Sequence, residues 1–332
     1  MEKYSYITVL SRYGQFKAQF RKFLLFYDDA ESPLDITTAD SPRWGAPSPL
    51  VVKSPEMYPL LVRMEIRWIT VTEGKCYEIN ASLDQAKAEA LWKKQEQDDP
   101  EDPFRQYVFG IAPHGGVAVW LCSNKRSVLL HWMNADESER TEEEEFIFPP
   151  DPEMERLTNI LLPLDRLQGN MRQYPYRMVP LEEFFDGEKW RRYPSDDLFY
   201  EELQLDGVEV RRFDGTYDYT DNEAVLHYHE FGKPSRITVR WHQGKSAYFV
   251  HFWLDQDEIS FFFNSLFNSF PDVKADLLLR IDSRANRYEL AMTSDGLPIR
   301  WLCYTQYIVF REDEEIGRSK NYQKKDGEWH WH

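Results

Sequence analysis

Cysteine is scarce in this chain: of 332 residues only Cys76, Cys122 and Cys303 are Cys, far apart and odd in number. No disulfide framework can be built on that spacing, and it fits a reducing compartment. Positive charge is the minority sign, with 40 Lys+Arg against 57 Asp+Glu and a formal net charge of −17. A phosphate binder needs a basic footprint, so nucleic acid is excluded as a partner. Long apolar runs are missing as well. Stretches such as Ser260–Phe267 fall far short of the roughly 20 residues that cross a bilayer, so no membrane span is expected. The opening MEKYSYITVLSRYGQ has an acid at position 2, no apolar run of signal length and no small-residue cleavage site. The expectation is a cytoplasmic protein.

Catalytic signatures are also lacking. There is no G-x-S-x-G elbow, no S-x-x-K with its companions and no H-E-x-x-H helix. Gly115-Gly116 lacks the Lys-Ser/Thr of a phosphate loop and is flanked by strand-like periodicity, so it reads as a turn. Cys122 and Cys303 both lie in apolar strand patterns, where a thiol is inert core. No catalytic residue and no cofactor follow from any motif.

What is present is enough for a folded core. Hydrophobic residues make up 42% and aromatics 15%, which a disordered acidic chain would not have. The length suggests two domains at roughly 150 residues each. Residues 1–166 hold 19 basic and 28 acidic side chains and 167–332 hold 21 and 29, so the acid excess is spread over both halves.

In residues 14–29, Phe16, Phe20, Phe23, Leu24 and Tyr27 recur at helical spacing, which predicts an amphipathic helix. Residues 31–59 are proline-rich and read as a long loop or arm. Met57–Thr72 alternates as a strand with one wet face. Ser82–Gln97 reads as a helix with Ser82 at its N-cap. Arg105–Cys122 reads as a hairpin over Pro113–Gly116, 136–145 as a solvated loop and Asp151–Leu162 as a helix.

The boundary is expected at Gly169–Tyr176, giving domains 1–170 and 171–332. In the second, Glu202–Val210, Ala224–Phe231, Ser235–Trp241, Ser246–Leu254, Lys274–Ile281, Arg287–Met292 and Trp301–Phe310 read as strands. A helix near 255–270 opens on Asp255, Asp257 and Glu258, and its Phe-rich side calls for burial. Short hairpin turns imply antiparallel order. The fold class expected is α+β, mostly antiparallel β: two β-rich domains, each a sheet or sandwich packed by a few helices.

Three groups of residues are candidate sites. His227 and His229 lie two apart, on one face of a strand, and with His242 or His251 would begin a metal site; the competing reading is ordinary strand histidines. Acid pairs such as Asp28/Asp29, Glu182/Glu183, Asp196/Asp197 and Glu201/Glu202 would serve a glycosidase only across a cleft, and solvated surface is the default. The acidic residues Glu142, Glu143, Glu144, Glu145, Asp196 and Asp197 are candidates for the rim of a protein-binding surface, with solubility as the competing reading. Trp44, Trp68, Trp92, Trp120, Trp132 and Trp301 read as core, and any exposed aromatic would suit a recognition hot spot or a sugar platform.

Two stretches carry a family resemblance. FGIAPHGGVAVWLCSNKRSVLLHWMNAD (Phe109–Asp136) and ADLLLRIDSRANRYELAMTSDGL (Ala275–Leu297), with the later YIVFRED and KNYQKKDGEWHW, resemble the family known as domain of unknown function 2931, in its longer form from Gram-negative bacteria. Tyr58-Pro59 and RITVRWHQGKSAYFVHFWL are similar too. The resemblance brings no activity and no catalytic residue. It implies accessory or immunity-type proteins found near toxin and secretion systems. The function expected is a non-enzymatic binding protein that meets a basic protein partner, such as a toxin or secretion-system component. A carboxylate-dependent hydrolase or carbohydrate-binding protein is the alternative.

Overall fold

The structure is a computed structural model. It describes all residues except 1–2, 14–17, 28–37, 41–42, 49–56, 148–150, 162, 180–202, 222–228, 244, 282–287, 295–299, 304, 313, 319–321, 326–327 and 332. The chain is α+β and mostly antiparallel β, and it divides into two units. The first comprises Met1–Met171 with Asp214–Tyr217, the second Arg172–Phe213 with Asp218–His332.

In the first unit, β8 (Arg126–Asn134), β7 (Gly116–Cys122), β6 (Gln106–Ile111), β1 (Ile7–Arg12) and β3 (Thr38–Asp40) lie side by side in that order. A second sheet runs β2 (Ala18–Phe26), β4 (Arg63–Thr70), β5 (Cys76–Ser82) and β9 (Asp136–Ser138). Strand β1 is parallel to both β3 and β6; the other pairs of this unit are antiparallel. Period-2 alternation explains the core. Met64, Ile66 and Trp68 of β4 turn inward while Arg63, Glu65 and Arg67 stay half-buried. They meet Tyr107, Phe109, Val117 and Val119 from the first sheet in one buried cluster. Helix α1 (Gln85–Asp98) closes it with Ala88 and Trp92, one turn apart on one face. Trp68, Trp92 and Trp120 are core as expected, Trp44 and Trp132 are half-buried, and the Trp301 side chain lies outside the described residues.

Strand β2 overturns the helix predicted for 14–29. The cause is a β-bulge: Phe20 pairs with Trp68 but Lys22 pairs with Arg67, so one extra residue is accommodated. That residue puts Phe20 and Phe23, three apart in sequence, on the same side, with ring centroids 5.8 Å apart. The spacing that mimics a helical face is a strand with a bulge. Two smaller corrections follow. Ser82 ends β5, and the cap of α1 is Asp84, whose side chain accepts the Lys87 N–H at 2.9 Å. The expected loop 136–145 contains β9 and the start of α2 (Glu142–Ile147). Helices α3 (Pro152–Leu161) and α4 (Leu164–Asn170) complete the unit.

The second unit has one sheet in the order β20 (Glu314–Arg318), β19 (Gln306–Arg311), β15 (Ser246–Trp253), β14 (Pro234–Gln243), β11 (Leu203–Arg212), β12 (Tyr217–Asp221). Another runs β13 (His229–Phe231), β10 (Tyr174–Val179), β16 (Ala275–Ile281), β17 (Tyr288–Thr293), β18 (Arg300–Trp301), and β21 (Tyr322–Lys325) pairs with β22 (Glu328–Trp331). Among the described residues of this unit only β10 and β16 pair in parallel. Helix α5 (Gln256–Ser269) is capped by Asp255, which accepts the N–H groups of Asp257 and Glu258. Ile259, Phe263 and Phe267, at i, i+4 and i+8, enter the core with Tyr174, Tyr176, Leu277 and Phe252. Burial of the Phe-rich side is incomplete, because Phe261 is 64% and Phe270 46% exposed. The single strand expected at Trp301–Phe310 is two, β18 and β19, and Cys303 between them is exposed rather than core.

Candidate partner-binding site

The acidic residues of the first unit are placed by a helix start. The sequence Thr141-Glu142-Glu143-Glu144 is a capping box. The Thr141 hydroxyl accepts the Glu144 N–H at 3.2 Å, and Glu144 Oε2 accepts the Thr141 N–H at 2.9 Å. Glu144 therefore turns inward, its side chain only 5% exposed. Arg67 of β4 donates to both its oxygens, at 2.8 and 3.0 Å, and Arg21 Nε of β2 stands 3.6 Å away. Burial pushes this carboxyl up, but the Thr141 N–H and the Arg67 guanidinium outweigh it and hold it below the ordinary range. Arg140 then satisfies two carbonyls, Gly74 O at 2.8 Å and Glu144 O at 2.7 Å.

Glu142, Glu143 and Glu145 are left exposed, and none has an ion-pair partner among the described residues. Beside them Lys75 reaches Glu137 of β9 at 3.2 Å and Glu155 of α3 at 3.4 Å. Asp151 caps α3 by accepting the N–H groups of Glu153 and Met154. The charge of this edge is its defining property. Residues 136–155 hold ten acids and one base, net −9, while the rest of 1–166 holds 18 of each sign. Both halves carry an acid excess, and in the first it is confined to β9, α2, the start of α3 and their connections. Asp196 and Asp197, the other expected rim residues, lie outside the described residues, as do Asp28/Asp29 and Glu182/Glu183 and the pair Glu201/Glu202.

A second group of this unit is built on strained backbone. His114 adopts φ 60° and Gly115 φ 74° at the turn before β7. A Cβ on Gly115 would come within 2.9 Å of Ala135 O and of the Tyr77 ring. Glu73 Oε1 accepts the His114 N–H at 3.0 Å and lies 3.5 Å from His114 Nδ1. Its other oxygen, Oε2, is buried without a hydrogen-bond partner. Burial pushes the Glu73 carboxyl up, against the opposing pull of the His114 N–H. No motif flagged Glu73, since its role depends on a turn 41 residues away.

Of the histidine candidates, His242 and His251 have described side chains, and these two have different partners. His227 lies outside the described residues, as does the side chain of His229 in β13. His242 pairs with Asp206, opposite Ala247 of β15, whereas His251 Nδ1 lies 2.8 Å from Thr238 Oγ1. Burial pulls the His251 imidazole down. Among the described residues no group of three or more His, Cys, Asp or Glu side chains is arranged to hold a metal. Cys76, Cys122 and Cys303 form no disulfide; Cys122 is fully buried and burial pushes its thiol up to about 12.

Opposite the core face of β15, Phe249 stacks on Phe310 with centroids 4.6 Å apart, and His251 and Trp253 continue the row. All four are half-buried.

No described helix is long and apolar enough to cross a membrane. Neither the curated proteins nor the solved structures offer a match to this chain. A family match does exist; it contains the capping box, Glu73 and the His114 turn and ends before Ala275–Leu297. Residues 38–168 match the model of the family described as "Protein of unknown function (DUF2931)", the family the sequence resembles.

Proposed function

We propose that this protein is a non-enzymatic binding protein that meets a basic protein partner through the acidic edge formed by β9, α2 and α3. The observation that carries this reading is the concentration of net −9 in residues 136–155 of an otherwise charge-balanced half. Complementary charge speeds encounter and rejects wrong partners, and the edge offers exposed carboxylates on a helix pinned from below by Arg67. An immunity protein that covers a toxin is the form of this reading that the family resemblance suggests. A cytoplasmic location is part of the proposal and is supported by three cysteines, none of them in a disulfide.

Co-purification from the native host tests it. The tagged protein should retain a basic partner at low salt and lose it with Glu142→Lys, Glu143→Lys and Glu145→Lys combined. Equal retention by both forms removes the reading.

Among the described residues the carboxylate with a raised pKa is Glu73, and at 4% exposure it is too buried to serve the hydrolase alternative. The carbohydrate alternative draws on the Phe249–Phe310–Trp253 row, because aromatic faces stack on sugars. Tryptophan fluorescence titrated with oligosaccharides, compared with Trp253→Ala, would support it only through a saturable change that the variant lacks.

A further inference from the structure

Helix α3 is amphipathic, yet part of its apolar side faces solvent: Met154 and Ile160 are exposed, with half-buried Leu157 between them. Met154, Leu157 and Ile160 fall on one face at three-residue spacing. Met154 is 39% and Ile160 59% exposed, Leu164 at the start of α4 is 40% exposed, and none of the three on α3 joins a buried cluster. A ten-residue helix has little stability of its own and depends on burying such a face. The described contacts of α3 include the Asp151 cap, the Lys75–Glu155 pair at 3.4 Å and the exposed Glu153–Arg156 pair at 2.7 Å. Met154 and Ile160 stay uncovered with the helix in place.

Its surroundings define what covers it. The face sits within the segment of net −9, next to Glu153 on its own helix and following α2 with its unpaired Glu142, Glu143 and Glu145. Its complement has apolar side chains in a stripe and Lys or Arg on both flanks. We propose that the Met154–Leu157–Ile160 face docks a basic amphipathic helix of the partner. This deepens the reading of the acidic edge as a partner surface and rests on it. A helix suits the site because apolar anchors at i, i+3 and i+7 match a helical stripe, as in helix-on-groove recognition. Charge would bring the partner in, and the apolar stripe would set its register.

The test uses the full chain and two synthetic peptides of about 18 residues, long enough to form a helix on binding. Both contain the same leucines and lysines. In one the leucines follow a heptad stripe; in the other they are scrambled. Binding is read by isothermal titration at physiological salt. The wild-type protein should bind the striped peptide at least about tenfold more tightly than the scrambled one, a factor that burial of about one apolar side chain supplies. Met154→Gln with Ile160→Asn should abolish that preference. Both positions are exposed, so circular dichroism and Tm should stay unchanged and a folding defect is separable. Glu142→Lys, Glu143→Lys and Glu145→Lys combined should weaken both peptides alike. Equal binding of the two peptides, both weakened by the lysine variant, overturns the helix-docking inference and leaves the acidic edge standing. Binding that the lysine variant leaves unchanged overturns both.

Discussion

Glu144→Gln separates an anchoring acid from its neighbours. In the wild type the carboxylate accepts two Arg67 donors and the Thr141 N–H, with Arg21 nearby. Glutamine keeps one acceptor oxygen but removes the charge. A hydrogen bond to a charged group contributes about 1.5–3 kcal/mol, and removing one member of a fully buried pair costs about 3–5 kcal/mol. Arg67 and Arg21 keep some access to water, at 21% and 26% side-chain exposure, so the lower figures apply. The expected loss is about 2–3 kcal/mol at neutral pH. Exposed Glu143→Gln should cost under about 0.5 kcal/mol. The sign with pH is fixed by the depressed Glu144 pKa. Its stabilisation is fully present above the ordinary value of 4.5 and is lost as pH falls through the lower folded value. Urea unfolding of wild type and variant, at neutral pH and near pH 3, reads both effects in the transition of the first unit. Equal losses for Glu144→Gln and Glu143→Gln, or a gap that persists unchanged in acid, would refute the anchoring role.

Three further outcomes are expected. Phe263→Ala should destabilise the second unit by about 3–5 kcal/mol in thermal or urea unfolding, because its ring is fully buried, whereas exposed Phe261→Ala should change little. Glu73→Gln should make the first unit more stable at neutral pH than wild type. The Glu73 pKa is raised in the fold, so the wild-type contribution is whole below 4.5 and is lost as pH rises; an unfolding series from acid to neutral pH in which the variant shows the same slope contradicts this. Thiol labelling of the native protein should modify exposed Cys303 and spare Cys76 and Cys122 until the chain unfolds.

Much of the architecture follows from local pattern. Alternation marked β4, the turn at Pro113–Gly116 marked the β6–β7 hairpin, and the acids before Phe263 marked α5. These signals are local because a face, a turn and a cap each involve neighbours in sequence. The failure at β2 has the opposite cause. A bulge is a property of two paired strands, so nothing in residues 14–29 alone separates a bulged strand from a helix. The parallel pairing of β1 with β6 was likewise invisible, since it joins Ile7–Arg12 to residues about a hundred positions later. At the acidic edge, Glu142–Glu145 were legible as a charged run, but the inward turn of Glu144 required its Thr141 box and Arg67 from another strand. The confinement of the charge is in the composition, and the contacts of Lys75 with Glu137 and Glu155 and of Arg67 with Glu144 tie β9, α3 and α2 to β4 and to the residue before β5.

The most direct test of the acidic edge is the affinity of the co-purifying partner for wild-type protein and for the triple Glu142→Lys, Glu143→Lys, Glu145→Lys form at matched salt. A basic partner that binds the triple variant at least about tenfold more weakly, with the gap narrowing as salt rises, is the predicted result. The same affinity for both forms, or a partner without basic character, contradicts the account.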